Sequence, residues 1–266
     1  MKALLASLLL ACGGCGGTTG SALVTFSGEA TGPSDADGGP LSFTTGSGAD
    51  VTLTKARLHL GAVYLNQSVP ASGAAAEPCI SPGIYVAELF GGLDVDLLSP
   101  KPVMFRSSGE GTETQARTAE VWLVGGGENS AADVNADNDS THILEVEGSA
   151  TQDDVSYPFA GVVTIGANRK PTVANAAMPG ANPICHQRIV TPILVDITPK
   201  SGGTLALRID PRRMFDSVDF SKALELADAP GSYEIPDTTS GAGGALFKGL
   251  TASFGVYSFS FRGPER

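Results

Sequence analysis

Between residues 50 and 66 apolar and polar side chains alternate. Leu58, Leu60, Ala62 and Tyr64 fall on one side of the run, and Lys55, Arg57, His59 and Gly61 on the other. A period of two places alternate side chains on opposite faces of a strand, so this run predicts a long, half-buried strand. Shorter runs of the same kind occupy 23–27, 41–45, 84–89, 93–98, 103–105 and 116–124. In the last of these Trp122, the one Trp of the chain, is opposite in phase to Val121 and Leu123. A core position is its expected place, with an exposed aromatic as the alternative. Residues 142–150 and 156–165 flank Gln152-Asp153-Asp154 and predict a hairpin. Residues 189–197 and 204–209 predict a second, across Pro199-Lys200-Ser201-Gly202-Gly203. Residues 256–261 predict a closing strand.

Helical signals are few. Residues 215–226 predict a short helix capped by Asp219 or Ser221, with Ala223, Leu224 and Leu226 inside. Residues 246–254 predict a helical turn, and 228–244 is rich in turn residues. Two long loops interrupt the strands, a polar one at 125–141 and an irregular one at 166–186. Ten to twelve short strands separated by turns predict an all-β sandwich or barrel in one domain over 22–266. The 34 Gly and 17 Pro, with 17% charged residues, fit many turns and not a helical bundle.

The first residues differ from the rest. Lys2 precedes an apolar run at 3–10, too short to span a bilayer, and Leu9-Leu10-Ala11-Cys12 resembles a bacterial lipobox. The expectation is a signal peptide over 1–11, lipid on Cys12 and a Gly-rich tether over 12–21. The expected address is the bacterial cell envelope, at the outer membrane, facing the periplasm or the cell surface. Removing Lys2 takes the net charge from −11 to −12. An acidic chain with no basic run argues against nucleic acid as a partner. The membrane would be met through the lipid, and an envelope protein or a glycan is the expected class of partner.

Cys12-Gly13-Gly14-Cys15 has redox-motif spacing but lacks the strand and helix such a site needs. Cys79 and Cys185 remain, and in an oxidising compartment they are expected to pair. That bridge would close a loop of about 100 residues and contribute about 4 kcal/mol in the chain-entropy view. Two separate buried thiols are the alternative.

Candidate chemistry is sparse. Asp133, Asn135, Asp137 and Asp139 place oxygen ligands at alternate positions, as the first half of a Ca²⁺ loop does. Asn138 and Leu144 stand where such a loop wants Gly and a bidentate Glu, so a solvated acidic loop is the competing reading. Asp35 and Asp37 with Gly38 give a weaker version that reads as a plain turn. His59, His142 and His186 are single, with no metal-ligand spacing. A fold would have to gather them, with Met104, Met178 or Met214, to hold copper. Asp94 and Asp96 share one strand face, where paired carboxylates serve acid–base chemistry or form an acidic edge. No nucleophile motif is present.

Four stretches together resemble the methanobactin-partner (MbnP-like) family of exported bacterial β-sandwich proteins. They are residues 51–65, 93–98, 144–148 with Pro158-Phe159, and 205–210 before Met214-Phe215. The resemblance implies an immunoglobulin-like or transthyretin-like sandwich in the envelope, with copper as an implied ligand. The chain lacks a His-rich pattern matching a copper site. The expectation is therefore a lipid-anchored, non-catalytic binding or structural module. The alternatives are a copper or calcium protein and a carbohydrate-active sandwich enzyme.

Overall fold

A computed structural model describes residues 21–68, 84–123, 142–164 and 189–264. The fold is an all-β sandwich of two sheets with few helices, in agreement with the pattern of alternation. Cys12, Cys79 and Cys185 lie outside the described residues, as do Asp133, Asn135, Asp137, Asp139, Met178 and His186.

The first sheet contains β1 (Leu23–Thr31), β4 (Val63–Asn66), β5 (Tyr85–Leu89), β7 (Val103–Met104), β8 (Gly109–Thr112) and β9 (Ala116–Trp122). β12 (Ile189–Ile197), β13 (Thr204–Ile209) and β16 (Tyr257–Arg262) complete it. Its order is β12-β9-β4-β5-β8-β1-β13-β16, with β7 also on β1. The end strands β12 and β16 approach one another, so the sheet curls toward a barrel. The second sheet contains β2 (Leu41–Thr44), β3 (Asp50–Leu60), β6 (Leu93–Asp96), β10 (His142–Gln152), β11 (Val155–Thr164), β14 (Leu224–Leu226) and β15 (Ala229–Ile235). Its order is β14-β15-β11-β10-β3-β2, with β6 also on β3.

The predicted run 50–66 is two strands in two sheets. β3 ends at Leu60 and β4 begins at Val63. At the break Gly61 N–H donates to the Trp122 carbonyl (2.7 Å), and Trp122 N–H donates to the Ala62 carbonyl (2.8 Å). Strand β9 thus captures the chain at the corner and carries it across the sandwich. The first predicted hairpin forms as β10 and β11, and its turn residues Asp153 and Asp154 both have positive φ, 51° and 62°. Two left-handed turn residues suit the twist of a tight hairpin, and Asp tolerates that region.

The second predicted hairpin does not form. β12 pairs with β9, while β13 lies parallel to β1 and antiparallel to β16. The Gly-Gly turn docks on β1 instead: Gly202 N–H donates to the Thr25 carbonyl and Ser27 N–H to the Gly203 carbonyl, each at 2.9 Å. Both edges of β13 are then occupied, leaving none for β12. The predicted helix over 215–226 is also corrected. Residues 211–215 and 220–222 are 3-10 turns, the second capped by Asp219, and Leu224–Leu226 is the edge strand β14. Part of the turn-rich 228–244 segment is β15. The helix α1 spans Gly241–Leu250, earlier than the predicted turn.

The core lies between the sheets. Leu53, Leu58, Leu65, Leu89 and Leu144 are fully buried there. Phe159, Phe215 and Phe220 close one end, with ring centroids 5.1 to 6.4 Å apart. Each such ring contributes about 2 to 3 kcal/mol on burial.

Candidate binding site on the outer face of the first sheet

Sheet register gathers residues that are far apart in sequence. Glu120 on β9 stands opposite Tyr64 on β4, Tyr64 opposite Glu88 on β5, and Glu88 opposite Glu110 on β8. Directly paired residues share a sheet face. The core residues Leu65, Ala87 and Ala119 alternate with these, so the row Glu120–Tyr64–Glu88–Glu110 lies on the outer face.

Tyr64 is the hub. Its ring centroid lies 5.2 Å from that of Tyr85, 5.7 Å from Trp122 and 5.8 Å from Phe90. A register shift between Leu65 and Asn66 sets Tyr85 opposite Asn66. Irregularities of this kind re-aim a side chain. Here the Tyr85 hydroxyl donates to Glu120 Oε2 at 3.4 Å. Asn66 Nδ2 donates to Glu120 Oε1 at 3.1 Å. Asn66 and Glu120 are 0% exposed and Trp122 is 3% exposed, whereas Tyr85 is 41% exposed at the rim.

Two polar atoms in this cluster are unsatisfied. Asn66 Oδ1 and Trp122 Nε1 are buried without a hydrogen-bond partner. Leaving such an atom unpaired costs about 1 to 3 kcal/mol. Burial, with the charges of Glu88 and Glu120, raises the Tyr64 hydroxyl to about 12. Desolvation, then Glu110, raises the Glu88 carboxyl. Among the described residues no salt bridge is formed by Glu88 or Glu110, although Glu113 pairs with Lys200 and Glu29 with Arg262. Beside the row, a groove of roughly 560 Å³ is lined by Leu23, Thr25, Tyr85, Glu88, Glu110 and Thr112.

The sequence-predicted candidates fall elsewhere. His59 and His142 stand on β3 and β10 of the second sheet, and each binds its own carboxylate. His59 Nδ1 is 2.9 Å from Asp94 Oδ1, and His142 Nδ1 is 2.9 Å from Glu145 Oε1. Among the described residues no three His, Cys, Asp or Glu side chains converge as metal ligands. Met214 is buried and Met104 exposed. Asp94 and Asp96 separate in role. Burial raises the Asp94 carboxyl, but hydrogen bonds from His59 and Arg57 outweigh it and hold the group below its ordinary value. Asp96 accepts from the Leu98 N–H at 3.0 Å. Asp35 receives the Arg212 guanidinium fork at 2.8 and 2.9 Å, and Asp37 accepts from Gly39 N–H, so this segment is a turn clamped by Arg212.

Sequence reasoning missed Glu120, Asn66 and Tyr64 as a group. The one local signal was phase: Glu120 and Trp122 share a side of β9, opposite to Ala119 and Val121.

No protein-family model matches the chain, and no curated protein matches it. Among solved structures the chain is similar to MbnP from Methylosinus trichosporium, at 12% sequence identity and a TM-score of 0.36, over 91% of this chain and 99% of that one. That protein belongs to the family the four sequence stretches resemble. The two chains superpose loosely, so no ligand or residue role passes from one to the other.

Proposed function

We propose that this chain is a non-catalytic binding module of the bacterial cell envelope, anchored by lipid on Cys12, and that the Tyr64 cluster binds an organic cation. The observation that carries the site is Tyr64 set between Glu120 and Glu88 and touched by three further rings. Aromatic faces attract a cation through the ring quadrupole, and the exposed Glu88 carboxylate beside Tyr64 adds a charge-assisted hydrogen bond. The lipobox-like Leu9-Leu10-Ala11-Cys12 supports the address. Glu88 and Glu110 face each other on adjacent strands, as carboxylates in acid–base chemistry do. Both are exposed on an open groove, which favours binding over bond cleavage.

The test is a calorimetric titration of the full chain, in mild detergent, with butylammonium chloride at constant ionic strength. Saturable one-to-one binding is expected, weakened up to about fivefold by Glu88→Gln, since an exposed ion pair contributes about 0.2 to 1 kcal/mol. Glu110→Gln, at the neighbouring exposed position, should act in the same direction and guards against misfolding of the first variant. Absence of saturation, or binding by both variants as tight as by the parent chain, would contradict the proposal.

A further inference from the structure

A second groove lies on the first sheet, on strands that the Tyr64 cluster does not use. Register builds it from two cross-strand rows. Thr31, Arg208 and Ser258 stand side by side on β1, β13 and β16, and Glu29, Ala206 and Ser260 do so in the next row. Leu205, Leu207 and Ile209 alternate with Ala206 and Arg208 and point into the core, so both rows lie on the outer face. Rows two residues apart are separated by about 7 Å. The short side chain of Ala206 leaves the centre of the floor low, and Pro100 and Pro102 stand along the groove, whose volume is roughly 530 Å³. Small-molecule sites span about 300 to 1,000 Å³.

The two arginines of this groove differ in state. Arg262, opposite Thr204, leans over one row, and its Nη2 donates to Glu29 Oε1 at 2.8 Å. Glu29 is 8% exposed, so the pair is seated in the floor and holds that guanidinium in place. Arg208 is exposed and forms no salt bridge among the described residues. Asp35, a carboxylate that its charge reaches, is already taken by the Arg212 fork at 2.8 and 2.9 Å. Ser258 beside Arg208, and Ser260 in the next row, present exposed hydroxyls with no hydrogen bond among the described residues. With Glu29 set against Arg262, one positive charge is left over, in a chain whose net charge is −11.

We infer that this groove binds a sugar acid, a small polyol bearing one carboxylate. The carboxylate takes the Arg208 guanidinium as a bidentate pair. The polyol lies over Ala206, and its hydroxyls meet Ser258, Ser260 and the Arg262 guanidinium. A bare anion would fill a small part of the groove and leave the hydroxyls unused. An apolar ligand would cover the charged floor without a partner for it. A dianion exceeds the single unbalanced charge. None of these residues belongs to the Tyr64 cluster, so the inference stands apart from the cation site.

The experiment titrates the full chain with glucuronate, methyl glucoside and acetate at constant ionic strength, in a mild detergent that carries no sugar. Calorimetry reads affinity, and the Ser258 and Ser260 amide peaks in a proton–nitrogen spectrum read location. Glucuronate should saturate and move both peaks. Methyl glucoside should bind up to about fivefold more weakly, the share of one exposed ion pair. Acetate should bind about fivefold or more weakly, since it lacks the hydrogen bonds of the polyol. Arg208→Gln should bind glucuronate and methyl glucoside alike. The Ser258→Ala/Ser260→Ala double variant should bring glucuronate toward acetate. Both variants change exposed positions only. Acetate binding as tight as that of glucuronate would reduce the groove to a surface anion patch and overturn the inference. Absence of saturation, unmoved Ser258 and Ser260 peaks, or glucuronate binding unchanged in either variant would overturn it as well.

Discussion

Tyr64 concentrates the behaviour of its site in one hydroxyl. Burial and two flanking carboxylates raise it to about 12, from an ordinary value of 10.0. The stability that neutral Tyr64 lends is whole below the unfolded value and is lost as pH rises through about 12. Glu88 behaves alike for a different reason. Desolvation and Glu110 raise its carboxyl, so its contribution is whole below the unfolded value and falls as pH rises through the raised one. Glu110→Gln removes the opposing charge. The Glu88 carboxyl should then titrate at lower pH in carbon-detected NMR, and an unchanged titration would show that Glu110 does not act on it. Such residues were hard to find beforehand because each looks ordinary alone. Asn66 ends a strand, and Glu120 sits where alternation expects a solvated side chain. Only the register of four strands shows that they meet. Asp94 illustrates the converse. It was legible as a carboxylate on a strand face, but its hydrogen bonds to Arg57 and His59 make it a structural pair.

Elements were read well where the determinants were local. The β10–β11 hairpin needed a tight turn, and Asp153-Asp154 supplies one. Errors arose where tertiary partners decided. The alternation over 50–66 is real on both sides of the corner, but nothing in it says that Gly61 and Ala62 will be captured by Trp122 backbone. β8, with sequence Gly-Glu-Gly-Thr, has no apolar period at all. It exists because Gly109 has no side chain where the Phe26 ring packs. Helix α1 shows the same logic. A Cβ on Gly243 would overlap the Pro236 carbonyl oxygen, and one on Gly249 would overlap that of Met214. The glycines let this helix seat directly on backbone. Gly243→Ala should therefore lower stability by about 1 to 3 kcal/mol despite alanine's better helix propensity. A urea midpoint measurement decides it, and a rise in midpoint would show that propensity wins.

For the whole molecule, composition and turn density were enough to read an all-β sandwich, because those features report on the number of strands and not on their order. Strand order escaped because β1 and β13 pair in parallel across more than 170 residues. The anchor and the disulfide belong to segments outside the described residues and are tested chemically. A fatty-acid analogue should label the parent chain and not Cys12→Ala, and equal labelling would contradict the anchor. Non-reducing peptide mapping should join Cys79 to Cys185, and alkylatable thiols at both would contradict the bridge.

The central claim is that the Tyr64 cluster is a cation site, and its most direct test uses the solitary indole. Trp122 gives one Nε1–H cross-peak in a proton–nitrogen spectrum of the full chain. The account predicts that this peak moves and saturates as butylammonium is added at constant ionic strength, and that Glu88→Gln weakens the response. A peak that stays in place through the titration would contradict it.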